Sequence, residues 1–148
     1  MKPIKKILVP VDFSTHSAEA LRMAADLARR YEASLELLHV FQTLTYALPE
    51  GYVLPSSEEI AKIMDQFQLQ LDAAKRSALD LGAPAVDTAL LQGGVATEIV
   101  RFAKDRACDL IVMGTHGRTG VKHLLIGSVA EYIVRVAPCP VLTVRGAK

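Results

Sequence analysis

Leu110-Ile-Val-Met-Gly114-Thr-His-Gly117-Arg-Thr-Gly-Val-Lys-His-Leu-Leu-Ile-Gly127-Ser128-Val-Ala-Glu131 decides the fold. An apolar run of strand length opens into a glycine-bearing loop, and the loop closes on an amphipathic segment, Val129 to Val136. Ser128-Val-Ala-Glu131 has the spacing of a capping box, which places a helix start just after Gly127. A buried strand that passes through glycines into a helix N-terminus is a ready anion site. The glycines let backbone N–H groups approach a ligand closely, and the first helical turn offers unpaired donors and partial positive charge. A phosphate-bearing ligand is the natural occupant.

The same alternation extends along the chain. Ile4 to Val11 is an apolar run broken only by lysines and Pro10, as suits a parallel strand covered on both faces. A helix follows over Thr15 to Tyr31, where Ala18, Leu21, Ala25 and Ala28 recur at helical spacing. Ser34 to Phe41 reads as the second strand, and Thr43 to Pro55 as loop, marked by two prolines and a glycine. Ser56-Ser-Glu-Glu59 is a capping box that opens a long helix to about Leu81, stopped by Gly82 and Pro84. Its stripe Ile60, Met64, Phe67 and Leu71, with Ile63 beside it, is expected to face the sheet, and Met23 and Leu27 on the first helix read as packing positions. Val86 to Leu91 is a third strand, more polar and nearer an edge, followed by a helix from Val95 to about Ala107. Asp109 to Met113 is the fourth strand; Pro138 ends the last helix, and Val141 to Val144 is the fifth strand.

Strands alternating with helices give an α/β fold: a parallel sheet with helices on both faces and right-handed crossovers. If the first and fourth strands are central neighbours, their outgoing connections diverge. The crevice beyond their C-terminal ends is then the topological switch point where ligands bind. Asp12 stands at the end of the first strand and Gly114 at the end of the fourth, so two features far apart in sequence would meet there.

Composition bounds the possibilities. A chain of 148 residues fits one domain, residues 1–148, with a sizeable core. Hydrophobic residues make up 51% and charged residues 22%, which argues against disorder. Seventeen basic against 16 acidic residues leave a net charge of +1, without the basic excess of a nucleic-acid surface. No apolar run reaches membrane-spanning length, and a short lysine cluster leads directly into a strand, so the expected location is the cytoplasm and no membrane is expected as a partner. Cys108 and Cys139 lack metal-ligand spacing and read as reduced thiols.

The loop is not a Walker A motif, because no Gly-Lys-Ser/Thr triplet occurs. Nor is it the short dinucleotide turn, because the first strand runs into Pro10-Val-Asp-Phe-Ser without a glycine. Its spacing is Gly-x2-Gly-x9-Gly-Ser, with room for a loop folded over a phosphate chain.

This segment resembles the ATP-binding signature of the universal stress proteins. Ile7-Leu-Val-Pro-Val-Asp12-Phe-Ser, Leu38-His-Val40 and Ala137-Pro-Cys-Pro-Val-Leu-Thr-Val144 agree with it, so the resemblance covers essentially the whole chain. It implies a Rossmann- or flavodoxin-like five-stranded parallel sheet in order 3-2-1-4-5, usually dimeric. It also implies a nucleotide site. Asp12 would accept hydrogen bonds from the adenine end, assisted by backbone of Val40. Pro10, Val11, Met113 and Gly114 would line base and ribose, and Gly117, Gly127, Ser128 and Val129 would hold the phosphates. His116 and Arg118 lie inside the loop and count among the nucleotide-binding positions.

The residues themselves agree with these roles. A carboxylate beside an apolar strand needs a donor, which an amine or ribose hydroxyl supplies; the alternative is that Asp12 caps the following helix or pairs with a nearby backbone N–H. Ser128 can cap its helix while neighbouring N–H groups bind phosphate. Arg118 and Lys122 either screen phosphate charge or stay solvated. His116 and His123 have no evident orienting partner and nucleophile, so no catalytic residue is assigned. His39 reads as a packed core or crevice residue, and His16 as a surface residue near a helix start.

The function expected is that of a cytosolic adenine-nucleotide-binding regulator of stress responses, holding ATP or AMP. The alternative is a slow ATPase or phosphotransferase at the same site, and a third reading is a purely structural or chaperone-like module. Mg2+ or Mn2+ would accompany a triphosphate through its oxygens, without a protein metal site. The apolar edge strand Val141 to Val144 predicts a homodimer.

Overall fold

A parallel strand with helices on both sides must bury every side chain, and period-2 alternation then sends successive residues into two different cores. A computed structural model describes residues 2–43, 46–117 and 126–146 and shows this partition. In β1 (Lys6–Pro10), Ile7 and Val9 enter one core and Leu8 the other, all fully buried. In β2 (Ser34–Phe41), Leu35 and Leu37 join the first core, and Leu38 and Val40 the second.

The first core is closed by α1 (Thr15–Tyr31) and α2 (Ser57–Asp80). α1 presents Ala20, Leu21, Ala24, Ala25 and Ala28 to the sheet; the small side chains let the helix lie close. Its N-cap is Ser14, whose Oγ accepts the Ser17 N–H at 3.2 Å. α2 begins with a full capping box between Ser56 and Glu59. The second core is closed by α3 (Val95–Asp105) and α4 (Ser128–Val136) through Ile99, Ala103, Ala130 and Ile133.

Two short strands, β3 (Tyr46–Leu48) and β4 (Gly51–Val53), pair antiparallel inside the expected Thr43 to Pro55 loop. Pro49 and Glu50 make the turn between them, and Gly51, at φ 130°, opens β4 opposite Leu48, in a stretch that two prolines and a glycine had marked only as loop. The remaining strands are β5 (Ala85–Gln92), β6 (Leu110–Gly114) and β7 (Val141–Val144). With β1 and β2 they form one five-stranded parallel sheet in order β5-β2-β1-β6-β7. With the hairpin left out of the count, this is the expected 3-2-1-4-5 order, with the third and fifth strands at the edges.

Three local expectations are corrected. The stripe on α2 faces the sheet only from Phe67 onward: Leu71 and Ala78 are buried, but Ile63 and Met64 remain about two-fifths exposed, at 41% and 39%. The helix is longer than the sheet it covers, so its first turns project past the strand ends. Met23 is likewise exposed, on the outer side of α1, whereas Leu27 packs against the core. Finally, the N-cap of α4 is Gly127, not Ser128, and among the described residues no side chain caps this helix.

Polar ties fix the opposite end of the sheet. Asp109 accepts backbone N–H bonds from Lys5 and Lys6 at 2.9 and 3.0 Å and pairs with Lys2 Nζ at 2.9 Å. Glu36, buried on β2, is met by Arg106 Nη2 at 2.7 Å. Cys108 is buried nearby, and burial, aided by the Glu36 charge, pushes its thiol up to about 11, so it stays protonated and inert. Among the described residues no helix is long and apolar enough to cross a membrane.

Candidate functional site

β1 and β6 are hydrogen-bonded neighbours, yet the chain leaves them on opposite faces, β1 toward α1 and β6 toward α4. That divergence opens a crevice beyond their C-terminal ends. It is a cavity of about 410 Å³, within the range of about 300–1,000 Å³ usual for small-molecule sites.

Its floor comes from Pro10 and Val11 at the end of β1 and from Met113 and Gly114 at the end of β6. Asp12 follows directly, and the chain turns at Phe13 with φ 64°, a left-handed conformation that costs a bulky residue about 1–3 kcal/mol. The Phe13 ring offsets that strain by packing on His39 and Phe67, with centroids at 4.7 and 6.3 Å. The turn fixes Asp12 through two atoms. Its N–H donates to Ser17 Oγ at 3.3 Å, and Oδ1 accepts the Ser14 N–H at 3.0 Å. Oδ2 points toward Gly117: a Cβ on that glycine would lie 3.0 Å from it. The backbone-pairing alternative for Asp12 therefore holds for one oxygen and leaves the other turned into the crevice.

Across the crevice stands α4. The Gly127 N–H donates to the Thr115 carbonyl at 2.6 Å, which draws the two ends of the long loop together. A Cβ at Gly127 would crowd that carbonyl at 3.2 Å, so glycine is what permits the close approach. Among the described residues no side chain caps α4, and Ser128, Val129 and Ala130 of its first turn, whose amides have no intrahelical acceptor, line the cavity. Gly114 has a different task. A Cβ there would sit 2.9 Å from His16 Cβ, so this glycine lets β6 and α1 pack against each other.

Pro10, Val11, Asp12, Val40, Met113, Gly114, His116, Gly117, Gly127, Ser128 and Val129 all line this one cavity. Arg118, Lys122 and His123 lie outside the described residues. His116 Nδ1 is 3.0 Å from Thr115 Oγ1, and its ring lies 5.5 Å from that of His16. His16 is half-buried rather than a surface residue: its Nδ1 accepts the Gly146 N–H at 3.1 Å.

Sequence reasoning missed part of the wall. Phe41 and Phe67 close one side of the cavity, and Val95 and Ile99 of α3 another. His39 Nδ1 donates to the Val11 carbonyl at 2.7 Å, and its ring packs at a tilt on Phe67 with centroids 4.4 Å apart, bracing the end of β1. The position of Phe67 in a helical stripe was visible, but where that helix meets a strand end is a tertiary fact. Among the described residues no group of three or more His, Cys, Asp or Glu side chains could hold a metal ion.

Fold and crevice together define a doubly wound α/β protein with an open cavity at the switch point, where the N-terminus of α4 faces the Asp12 carboxylate. The model of the universal stress protein family matches residues 3–145, and the chain belongs to that family. A universal stress protein of Methanocaldococcus jannaschii is 39% identical over 147 residues, which span 97% of this chain and 84% of the relative. The structure of universal stress protein UspA from Lactobacillus plantarum superposes with a TM-score of 0.82 at 27% identity, covering 98% of this chain and 100% of that one. A universal stress protein of Archaeoglobus fulgidus, solved in complex with dAMP, shares the fold at a TM-score of 0.67 and 23% identity, covering 97% and 99%.

Proposed function

We propose that this protein is a cytoplasmic stress-response regulator that holds an adenine nucleotide, ATP or AMP, in the crevice between β1 and β6. One observation carries the reading: in a single cavity, Asp12 Oδ2 is turned inward opposite the side-chain-free N-terminus of α4. A purine nucleoside phosphate has matching ends, amine and hydroxyl donors at one and an anion at the other. In this pose Asp12 and the backbone of Val40 take the base and ribose end, with Pro10, Val11, Met113 and Gly114 lining it. Gly117, Gly127, Ser128 and Val129 take the phosphates, with His116 and Arg118 beside them. The dAMP complex of the Archaeoglobus relative supports an adenylate as ligand class. A divalent ion, Mg2+ or Mn2+, would ride on the phosphate oxygens of a triphosphate.

Binding is favoured over turnover because Asp12, the acid at the site, is tethered through Oδ1 to the Ser14 N–H and committed to recognition. Hydrolysis needs a placed water and further charge stabilisation. Calorimetry with ATP and AMP, alongside mass spectrometry of nucleotide released from purified protein, tests the reading. Gly117→Val puts a branched side chain between the Asp12 carboxylate and the loop. It is expected to weaken nucleotide binding at least about tenfold, roughly 1.4 kcal/mol, while the melting temperature changes little. Unchanged affinity in that variant removes the loop from the site.

A further inference from the structure

Phe41 and Phe67 stand between two hollows. Both line the crevice, and both line an apolar cavity of about 420 Å³ between the end of β2 and the projecting first turns of α2, together with Pro55, Ile60 and Ile63. Their ring centroids are 5.3 Å apart, inside the span of about 4.5–7 Å for aromatic rings in contact, so the pair forms a wall. Phe67 is held there by more than Phe41. Its ring also packs on His39 at 4.4 Å and on Phe13 at 6.3 Å, and His39 is tied to the Val11 carbonyl. The Phe41 carbonyl accepts the Gly93 N–H at 2.9 Å. A ring packed on three aromatic neighbours does not swing aside without giving up those contacts. Phe41 follows directly on Val40, whose backbone takes the base in the proposed pose, so this wall borders the base end of the crevice.

We propose that Phe67 is a specificity-determining residue: it closes the base end of the crevice and confines the ligand to nucleotides whose base carries no bulky substituent there. The inference rests on the reading of the crevice as an adenine-nucleotide site and adds what limits the base. A bare exocyclic amine fits between the Val40 backbone and the aromatic wall. An alkyl or aryl group on that amine has to enter space that the Phe67 ring fills, and a packed wall answers with strain. Truncating Phe67 takes away that obstacle and joins the crevice to the cavity lined by Ile60 and Ile63, which has room for the group. The wall therefore selects by exclusion and not by an added attraction.

ATP and its analogue benzylated on the exocyclic amine are the probes, titrated by calorimetry into the full-length protein. Wild type is expected to bind ATP at least about tenfold more tightly than the analogue, as a close-fitting pocket discriminates against added bulk. Phe67→Ala should shrink that ratio by about tenfold or more while ATP affinity moves less than about threefold, and Phe67→Leu should fall between. In Phe67→Ala the analogue, but not ATP, should shift the amide NMR signals of residues 60–63. Circular dichroism checks the fold of both variants; Phe67 is half-buried, and leucine keeps an apolar contact there if alanine does not fold. The ratio decides the matter, because a ring that only braced the fold would weaken both nucleotides alike. Equal loss of both probes overturns the proposal, as does a wild type that binds them equally. ATP binding with an unchanged ratio in the folded variants overturns it as well and leaves the nucleotide site standing. A wild type that binds no ATP removes the nucleotide reading itself, and this inference falls with it.

Discussion

Two glycines of the loop separate packing from ligand approach. A Cβ on Gly114 would lie 2.9–3.2 Å from the Cβ and backbone of His16, so Gly114→Ala forces a strand and a helix apart. We expect it to lower unfolding free energy by about 1–3 kcal/mol in urea denaturation, the usual cost of overpacking. Among the described residues a Cβ on Gly117 would meet Asp12 Oδ2 alone, at 3.0 Å, and its replacement should be felt in ligand affinity instead. Both glycines belonged to one motif in the sequence, and spacing alone could not divide their labour. Asp109 supports a prediction of a different kind. Burial works against its charge, but the hydrogen bonds from Lys2, Lys5 and Lys6 outweigh burial and hold the carboxyl below its usual range. A lowered native value means the carboxylate's contribution is complete above the ordinary value of about 3.9 and is lost as pH falls through the native one. The stability gap between wild type and Asp109→Asn should therefore be widest at neutral pH and narrow below about pH 4. A gap independent of pH, measured by chemical denaturation, would contradict that account.

At the level of elements, the two capping boxes written into the sequence behave differently. Ser56 and Glu59 close theirs with bonds of 3.1 Å in both directions, whereas Ser128 stands one residue inside α4 and caps nothing. Ser56→Ala should cost about 1 kcal/mol of stability, and Ser128→Ala much less, by thermal melts of the two variants side by side. The difference has a physical cause. The Gly127 N–H is drawn to the Thr115 carbonyl, so the chain reaches the helix one residue earlier than the motif would have it. The bounds of α1 and the starts of α2, α3 and α4 were legible, because caps, prolines and helical spacing are local signals. The β3–β4 hairpin was not, since three-residue strands carry too little periodicity to stand out from a loop.

At the scale of the whole molecule, β7 pairs with β6 along one side only. Its inward carbonyls are known from the bonds that Pro140 and Val144 accept from Ile111 and Thr115. By alternation, the N–H and carbonyl groups of Val141 and Thr143 point outward. Leu142, Val134 and Val136 are exposed along the same flank. The homodimer through Val141 to Val144 is our proposal for what covers this edge. Thr143→Pro removes one outward donor and leaves the inner ladder intact, as edge positions allow. Light scattering should show a dimer for wild type and a monomer for this variant, with unchanged circular dichroism. A wild-type monomer at micromolar concentration would refute the dimer.

The alternation of the five sheet strands with the four helices was determined by the sequence itself, through local periodicity, caps and glycine spacing. The order of strands in the sheet and most of the expected site residues came from the resemblance to the universal stress proteins. Tertiary structure alone decided three things: which oxygen of Asp12 is tied and which faces the crevice, that Phe41 and Phe67 complete the wall beside His39, and that the first turns of α2 overhang the sheet. Each depends on distances between segments remote in sequence. No pattern along a chain encodes such distances until the cores on both sides of the sheet have packed.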